Sequence, residues 1–208
     1  MRWIREALDN LIRVVRKVRE VGFLYSLNLL VQRLIPVRMF SVTSLVIMNF
    51  QTRNARIESP VGHWATANEL SVLTQFGHTE RTVLDRLASG DRAWVYAESG
   101  RLLGYCWFTA RRYIDDASGL EFPARLNEVW LYDAMVDREQ RGRGIYPRIL
   151  SSAARQLGTE GTSAIGIIVD KLNRNSIRAH AVGGAVVRQQ VRALTILGRR
   201  YDHRSETE

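Results

Sequence analysis

Residues 128–136 form an almost uninterrupted apolar run, and that run empties into a turn rich in glycine and arginine. A strand so apolar has to be covered on both faces, so it belongs in the middle of a sheet. The stretch after the turn carries Ile149, Leu150, Ala153 and Ala154 on one side, the spacing of an amphipathic helix. The turn itself, Arg141-Gly142-Arg143-Gly144-Ile145-Tyr146, has the composition of an anion cradle. Its glycines let the backbone approach a phosphate, and the first helical turn offers unpaired N–H groups and the positive end of the macrodipole. The Gly-Lys-Ser/Thr ending of a Walker loop is missing, as is the Rossmann glycine spacing.

Around this centre the pattern is mixed. Residues 40–48 predict a strand, and 52–62 a loop broken by Asn54, Pro60 and Gly62. Helical spacing covers 64–76 and 79–87. Residues 92–98 and 102–110 read as two strands joined at Ser99-Gly100, and 115–123 as a polar loop. After the cradle come a helix to about Leu157, a buried strand over 163–169, a short helix over 173–182 and two strands within 185–197.

Charge divides the 208 residues unevenly. There are 30 Lys and Arg against 21 Asp and Glu, net +9, which favours anionic partners. Residues 1–40 alone hold eight basic and three acidic side chains. In that segment Ile4, Leu8, Leu11, Val15 and Val18 form one helical stripe, a second apolar stretch covers 21–31, and Pro36 closes the helical part. The second stretch is too short to span a bilayer and is interrupted by Asn28. Residues 1–39 are therefore expected to be a basic amphipathic helical extension of a domain over 40–208. Its apolar stripe docks on the domain or on a second copy as a homodimer, or it lies in an anionic membrane surface. No nucleic-acid motif accompanies the charge, so nucleic acid is disfavoured as a partner. The single cysteine, Cys106, excludes an internal disulfide and fits a reducing, cytoplasmic location, peripheral at the inner membrane face if the extension binds lipid. His63 and His78 lack ligand-spaced partners, so no metal is expected.

The run from Arg141 to Tyr146 resembles the Arg/Gln-x-x-Gly-x-Gly/Ala signature of the GNAT superfamily, the acetyl-CoA-dependent N-acyltransferases. Arg141 and Gly144 match, and Tyr146 replaces the usual small last residue. The segment from Asn173 through Ser176 to Gly184 is similar to the family's Asn-x-x-Ala/Ser stretch running on to a glycine. Gly90-Asp91, the strand around Trp94 and Tyr96, and Gly104-Tyr105-Cys106-Trp107 are similar to its second and third strands. The resemblance covers residues 40–200. It implies an α/β (α+β) GNAT fold: a central mixed, mostly antiparallel sheet flanked by helices, here with the N-terminal helical extension.

It also implies acetyl-CoA as acyl donor. The pantetheine arm would lie beside Met135 and Val136, where the central strand splays from its neighbour, and the pyrophosphate on Arg141, Gly142, Arg143, Gly144, Ile145 and Tyr146. Tyr146 must then turn its side chain away from the phosphates. Asn173 and Ser176 would contact the arm, unless Asn173 is a plain helix cap. A helix tyrosine is the acid in many members; by spacing from Asn173 that position is His180, and an imidazole can supply the proton. Asp133 or Glu128, on the central strand, would be the general base, with Tyr132 lining the acceptor pocket. The expected reaction is acetyl transfer to a primary amine by direct attack. A small amine, an amino sugar or sugar nucleotide, and a protein or peptide amine remain open as acceptor, the charge favouring an anionic or membrane-proximal one. Longer-chain N-acyl transfer and a non-catalytic acyl-CoA-binding module are the rivals. The extension's role is decided by sedimentation with anionic vesicles. A lipid-bound extension pellets the full chain but not residues 37–208, and equal pelleting removes that role.

Overall fold

The computed structural model describes residues 40–55, 61–115 and 118–206; the extension expected over 1–39 lies outside them. Ten strands follow in chain order: β1 Phe40–Gln51, β2 His63–Trp64, β3 Arg92–Glu98, β4 Arg101–Thr109, β5 Tyr113–Ile114, β6 Glu121–Phe122, β7 Glu128–Val136, β8 Ala164–Asp170, β9 Val186–Ile196 and β10 Arg199–Glu206. The helices are α1 Leu70–Leu73, α2 Glu80–Ala88, α3 Ile145–Thr159 and α4 Arg174–Val182. Eight strands make one mixed sheet in the order β10-β9-β1-β8-β7-β4-β3-β2, with β5 and β6 as a separate small hairpin. The apolar run is β7, the fifth of the eight strands, as its two-sided hydrophobicity requires. Every pair in the large sheet is antiparallel except β7–β8.

Each face of the sheet has its own core. On one face the inner residues of α3, among them Ile149, Leu150, Ala153 and Ala154, pack on Met48, Phe50, Cys106, Leu131 and Ile165, joined by Ile177 of α4. On the other face Leu73 and Val83 of α1 and α2 cover Val95, Tyr105 and Trp107. Further along that same face Phe122 and Leu120 of the hairpin cover Leu45, Ile47, Trp130 and Val191. Helix α2 starts at a true cap: the Thr79 hydroxyl accepts from the Thr82 N–H at 3.1 Å.

Three expectations are corrected. The helical spacing over 64–76 is interrupted, because Trp64 belongs to β2 and pairs with Trp94, while the α-helical part is only Leu70–Leu73. Gly62 sets this up: at φ 89 it turns the chain onto β3, where a Cβ would meet the Val95 carbonyl oxygen at 2.1 Å. Trp64 then packs edge-on against Trp94 at 4.9 Å. The loop expected over 115–123 contains β6, which pairs with β5. The segment 185–197 is one strand, not two; β9 runs through it and turns at Leu197-Gly198 into β10.

The far end of α3 is tied to the sheet by charge. Arg92 of β3 lies 3.8 Å over the Trp64 ring and pairs with Glu160, just past α3. The Arg92 guanidinium, helped by Gln156 and Trp64, holds the Glu160 carboxyl down at about 2, against 4.5 for an ordinary glutamate. A carboxylate depressed on folding stabilises above its unfolded value and loses that contribution as pH falls through the folded one. With side chains 31% and 43% exposed, solvent screening limits the pair to about 1 kcal/mol. Glu160→Gln should therefore cost about that much at pH 7 and almost nothing near pH 2. Urea melts across that range measure the difference.

Candidate active site

Strands β7 and β8 are joined from Glu128↔Ala164 to Leu131↔Ile167 and no further. β7 runs on to Val136 and β8 to Asp170, so 132–136 and 168–170 border a gap with no ladder across it. The outer edges stay paired: β7 with β4 as far as Val136↔Gly104, and β8 with β1 as far as Asp170↔Leu45. The gap is thus framed by paired strands, while its own backbone groups have no sheet partner inside it.

The β4–β7 ladder slips beside this gap. Trp107 pairs with Tyr132 and Cys106 with Ala134, leaving Asp133 as an extra residue, a bulge, at φ 50. Aspartate is among the few side chains that adopt this left-handed conformation readily. The bulge puts Tyr132 and Asp133 on one face, opposite α3. There the Asp133 carboxylate receives Arg86 Nη1 at 2.6 Å and the Tyr105 hydroxyl at 3.1 Å, with His78 Nε2 at 3.1 Å. His78 also meets the Tyr105 hydroxyl at 2.8 Å. Arg86 lies 5.0 Å from the Trp107 ring centre and 5.1 Å from that of Tyr132. Tyr132 donates to Asp91 at 2.6 Å, and burial above all raises both tyrosines' pKa values.

A second carboxylate borders the gap from the β8 side. Asp170 pairs with Leu45, whose side chain lies on the face opposite α3, so Asp170 shares the face of Asp133. The Leu172 N–H donates to its carboxylate at 2.8 Å. Burial pushes its carboxyl up, and the charge of Asp115 adds to the shift. The sequence reading missed Asp170. Its signal was an acid ending a buried strand, which becomes informative only once β7 and β8 are known to part.

The helix face of the gap lies under α3 and α4. Tyr146, in the first turn of α3, turns its ring inward, and its hydroxyl lies 2.6 Å from His180 Nδ1 of α4. The two rings meet edge-on at 5.1 Å. That is the orientation required if the cradle backbone is to face an anion. His180 is 5% exposed, and burial lowers its pKa to about 4. Burial raises the Tyr146 hydroxyl and the Cys106 thiol, and Cys106 is electrostatically coupled both to Tyr146 and to Asp133. Cys106 itself is fully buried, as a core residue should be.

At the end of β7 lies the turn expected to act as a cradle. Arg141, Gly142, Arg143 and Gly144 are exposed, and Gly144 caps α3 at φ 71. Arg141 Nε donates to the Val136 carbonyl at 3.3 Å, and Arg143 to Gln140 at 3.3 Å. Arg101 draws away both acids of the turn, Asp137 at 2.8 Å and Glu139 at 2.7 Å. Arg101 and the Glu139 N–H hold the Asp137 carboxyl below its usual range. What remains facing solvent is a helix start, two arginines and open backbone, which fits a pyrophosphate. The open edge of β7 by Met135 and Val136 fits the amide-bearing arm of a coenzyme A. Ile145 is buried under the cradle. Asn173 caps α4, its Oδ1 accepting from the Ser176 N–H at 3.2 Å, so both residues serve the helix start. Glu128 is not brought to this group: it begins β7, five residues and about 16 Å from Asp133.

A family model described as the acetyltransferase (GNAT) family matches residues 59–183. No curated protein sequence matches the chain. Solved structures of similar fold include an acetyltransferase from the GNAT family of Colwellia psychrerythraea, 20% identical with a TM-score of 0.52, over 72% of this chain and 54% of that one. A functionally unknown conserved protein of Staphylococcus epidermidis is 11% identical with a TM-score of 0.50, over 93% and 67%. The chain spans about half the length of the first of these, and identities this low concern the fold alone. No helix among the described residues is long and apolar enough to cross a membrane.

His180 gives the site a measurable signature. A histidine whose pKa is depressed to about 4 on folding, from an ordinary 6.5, stabilises fully above 6.5 and loses that contribution as pH falls towards 4. Its ring carbon and proton resonances should titrate with a midpoint near 4 in an NMR pH series. Tyr146→Phe removes the hydroxyl partner of Nδ1 and should destabilise the fold by about 1–2 kcal/mol in urea melts.

Proposed function

Because the chain belongs to the GNAT acetyltransferase family, we propose that it transfers an acetyl group from acetyl-CoA to an amine whose acceptor molecule also carries an anionic group. The observation that carries this reading is the parted strand pair, with carboxylates on one face and a buried Tyr–His pair on the other. The cradle at Arg141–Tyr146 holds the pyrophosphate, and the open edge at Met135 and Val136 holds the arm. Bound there, the thioester supplies an activated acyl group.

The amine arrives on the carboxylate face as an ammonium ion and has to lose a proton before it can attack. Asp170 is the group that takes this proton, since burial has raised its carboxyl towards the range of a useful base. Asp133 is saturated by Arg86, Tyr105 and His78. Its part is to hold Arg86 and Tyr132 in place beside the acceptor, with His78 as its companion. The new N–C bond would form as the C–S bond breaks, the nitrogen's second proton passing to solvent and the thiolate taking its proton from Tyr146, which regains one from solvent. On the helix face the Tyr146 hydroxyl is the donor to the departing sulfur. Burial keeps it protonated, and His180, with Nδ1 carrying hydrogen, donates to its oxygen and frees its proton for the gap.

An anionic acceptor is favoured by where the basic segment joins. β1 runs antiparallel to β8, so Phe40 lies beyond Asp170, at the end of the sheet where the gap opens. Residues 1–39, with eight basic and three acidic side chains, therefore attach at that end.

An amine panel assayed for free CoA release tests this, with neutral and phosphorylated versions of one amine side by side and acetyl, butyryl and octanoyl donors compared. The phosphorylated amine and the acetyl donor should give the higher kcat/KM. Asp170→Asn should lower kcat/KM by about 10²-fold or more and remove the acid limb of its pH profile. Tyr146→Phe should lower kcat while leaving the KM for acetyl-CoA unchanged. Coenzyme binding with no CoA release from any amine would overturn the enzymatic reading, and unaltered turnover by Asp170→Asn would overturn the role of that carboxylate.

A further inference from the structure

Glu128 borders a different cavity, at the opposite end of β7 and on the face covered by the β5–β6 hairpin. This pocket measures about 140 Å³. Phe122 and Trp130 give it aromatic walls, and Arg125, Arg188 and Arg204 stand around it. Glu128 is 8% exposed, yet none of its contacts is a close one. Asn49 Nδ2 is 3.3 Å away, the Arg125 backbone N–H 3.4 Å, and Arg188 Nη1 3.7 Å. Good hydrogen bonds to a carboxylate are about 2.7–2.9 Å long, so this buried group keeps unused acceptor capacity. Burying a carboxylate is costly unless its oxygens are well supplied with donors.

The surroundings are built rather than incidental. Gln51 donates to Asn49 Oδ1 at 2.6 Å, which fixes the Asn49 amide with its nitrogen towards Glu128. β9 bulges at this level: Gln189 pairs with Ile47 and Val187 with Met48, so Arg188 is the unmatched residue. The bulge directs its guanidinium towards Glu128 instead of into the ladder's rhythm. Arg204 is paired with Asp202 at 3.3 Å. Arg125 and Arg188, both lining the pocket, outnumber the one carboxylate of Glu128, so the lining carries an excess of one positive charge. A monoanion balances it; a cation does not.

We propose that this pocket binds a small organic monoanion bearing a hydroxyl group, the hydroxyl donating to Glu128 and the anionic group lying between Arg125 and Arg188. A bare anion would be repelled by Glu128 and would leave its oxygens unsupplied. A neutral polyol would leave the guanidinium charge unmatched. The pocket stands apart from the parted strands, so its occupant is distinct from the acyl acceptor and the proposal holds whether or not the chain transfers acyl groups.

Calorimetric titration of the full chain at fixed ionic strength tests it with three probes: glycerate, propionate as the anion without a hydroxyl, and glycerol as the hydroxyl without an anion. Glycerate should bind saturably in the millimolar range, propionate about tenfold more weakly or worse, and glycerol not at all. Glu128→Gln should erase the preference for glycerate over propionate. Arg188→Ala, an exposed change that leaves the core intact, should weaken glycerate by about tenfold and keep the preference. Equal binding of glycerate and propionate, an absence of saturable glycerate binding, or an Arg188→Ala protein that binds as the parent does would each overturn the proposal.

Discussion

A parallel strand pair that separates halfway along its length leaves facing N–H and C=O groups unpaired in the middle of a sheet. Such groups must be supplied with partners or left open to solvent or a ligand. The arrangement survives here because each strand is held on its other edge. β4 follows β7 to Val136, and β1 follows β8 to Asp170. β1 fits this role because it is long, 12 residues, and lies between β8 and β9, so it binds the right half of the sheet to the C-terminal strands. Helix α3 then packs Ile149 and Leu150 on the strands beside the opening. The gap is a fixed slot rather than a frayed edge.

The two faces of that slot have opposite electrostatic character, and the difference follows from what covers them. Under α3 and α4 the side chains are mostly aliphatic, so each ionisable group there is kept in its neutral form: Tyr146 and Cys106 protonated, His180 unprotonated at neutral pH. Under α1 and α2 the cover is thinner and charged. Arg86 reaches in between two aromatic rings to meet Asp133, which the bulge has turned towards it. A regular strand would have sent Asp133 to the helix face, where a carboxylate would meet a mostly aliphatic surface. The left-handed φ at this residue is the local strain that keeps the charge on the wetter side.

Much of this organisation was legible in the sequence because it depends on local pattern. The central position of β7 follows from its hydrophobicity on both faces, the cradle from glycine and arginine at a helix start, and the hairpin of β3 and β4 from Ser99-Gly100 between alternating runs. The inward turn of Tyr146 was a condition the cradle imposed, and His180 is what it turns towards. The illegible parts depend on contacts between distant segments. Asp133 as a bulge requires the β4 register, and Asp170 at a slot requires knowing where β8 leaves β7. Glu128 looked equivalent to Asp133 because both are acids on one strand; the strand's length separates them into different cavities. β10 carries no apolar alternation, being exposed throughout, so nothing in its residues announced a strand.

The net charge of +9 also resolves into local balances. Several arginines among the described residues are matched in place: Arg86 with Asp133, Arg92 with Glu160, Arg111 with Asp91, Arg112 with Glu121. These pairs have no reach beyond their own neighbourhood, since salt screens them within about 10 Å. At the cradle the two acids of the turn, Asp137 and Glu139, are both paired with Arg101 of the neighbouring strand. An arginine outside the cradle sequence thereby shares in setting the potential at the start of α3.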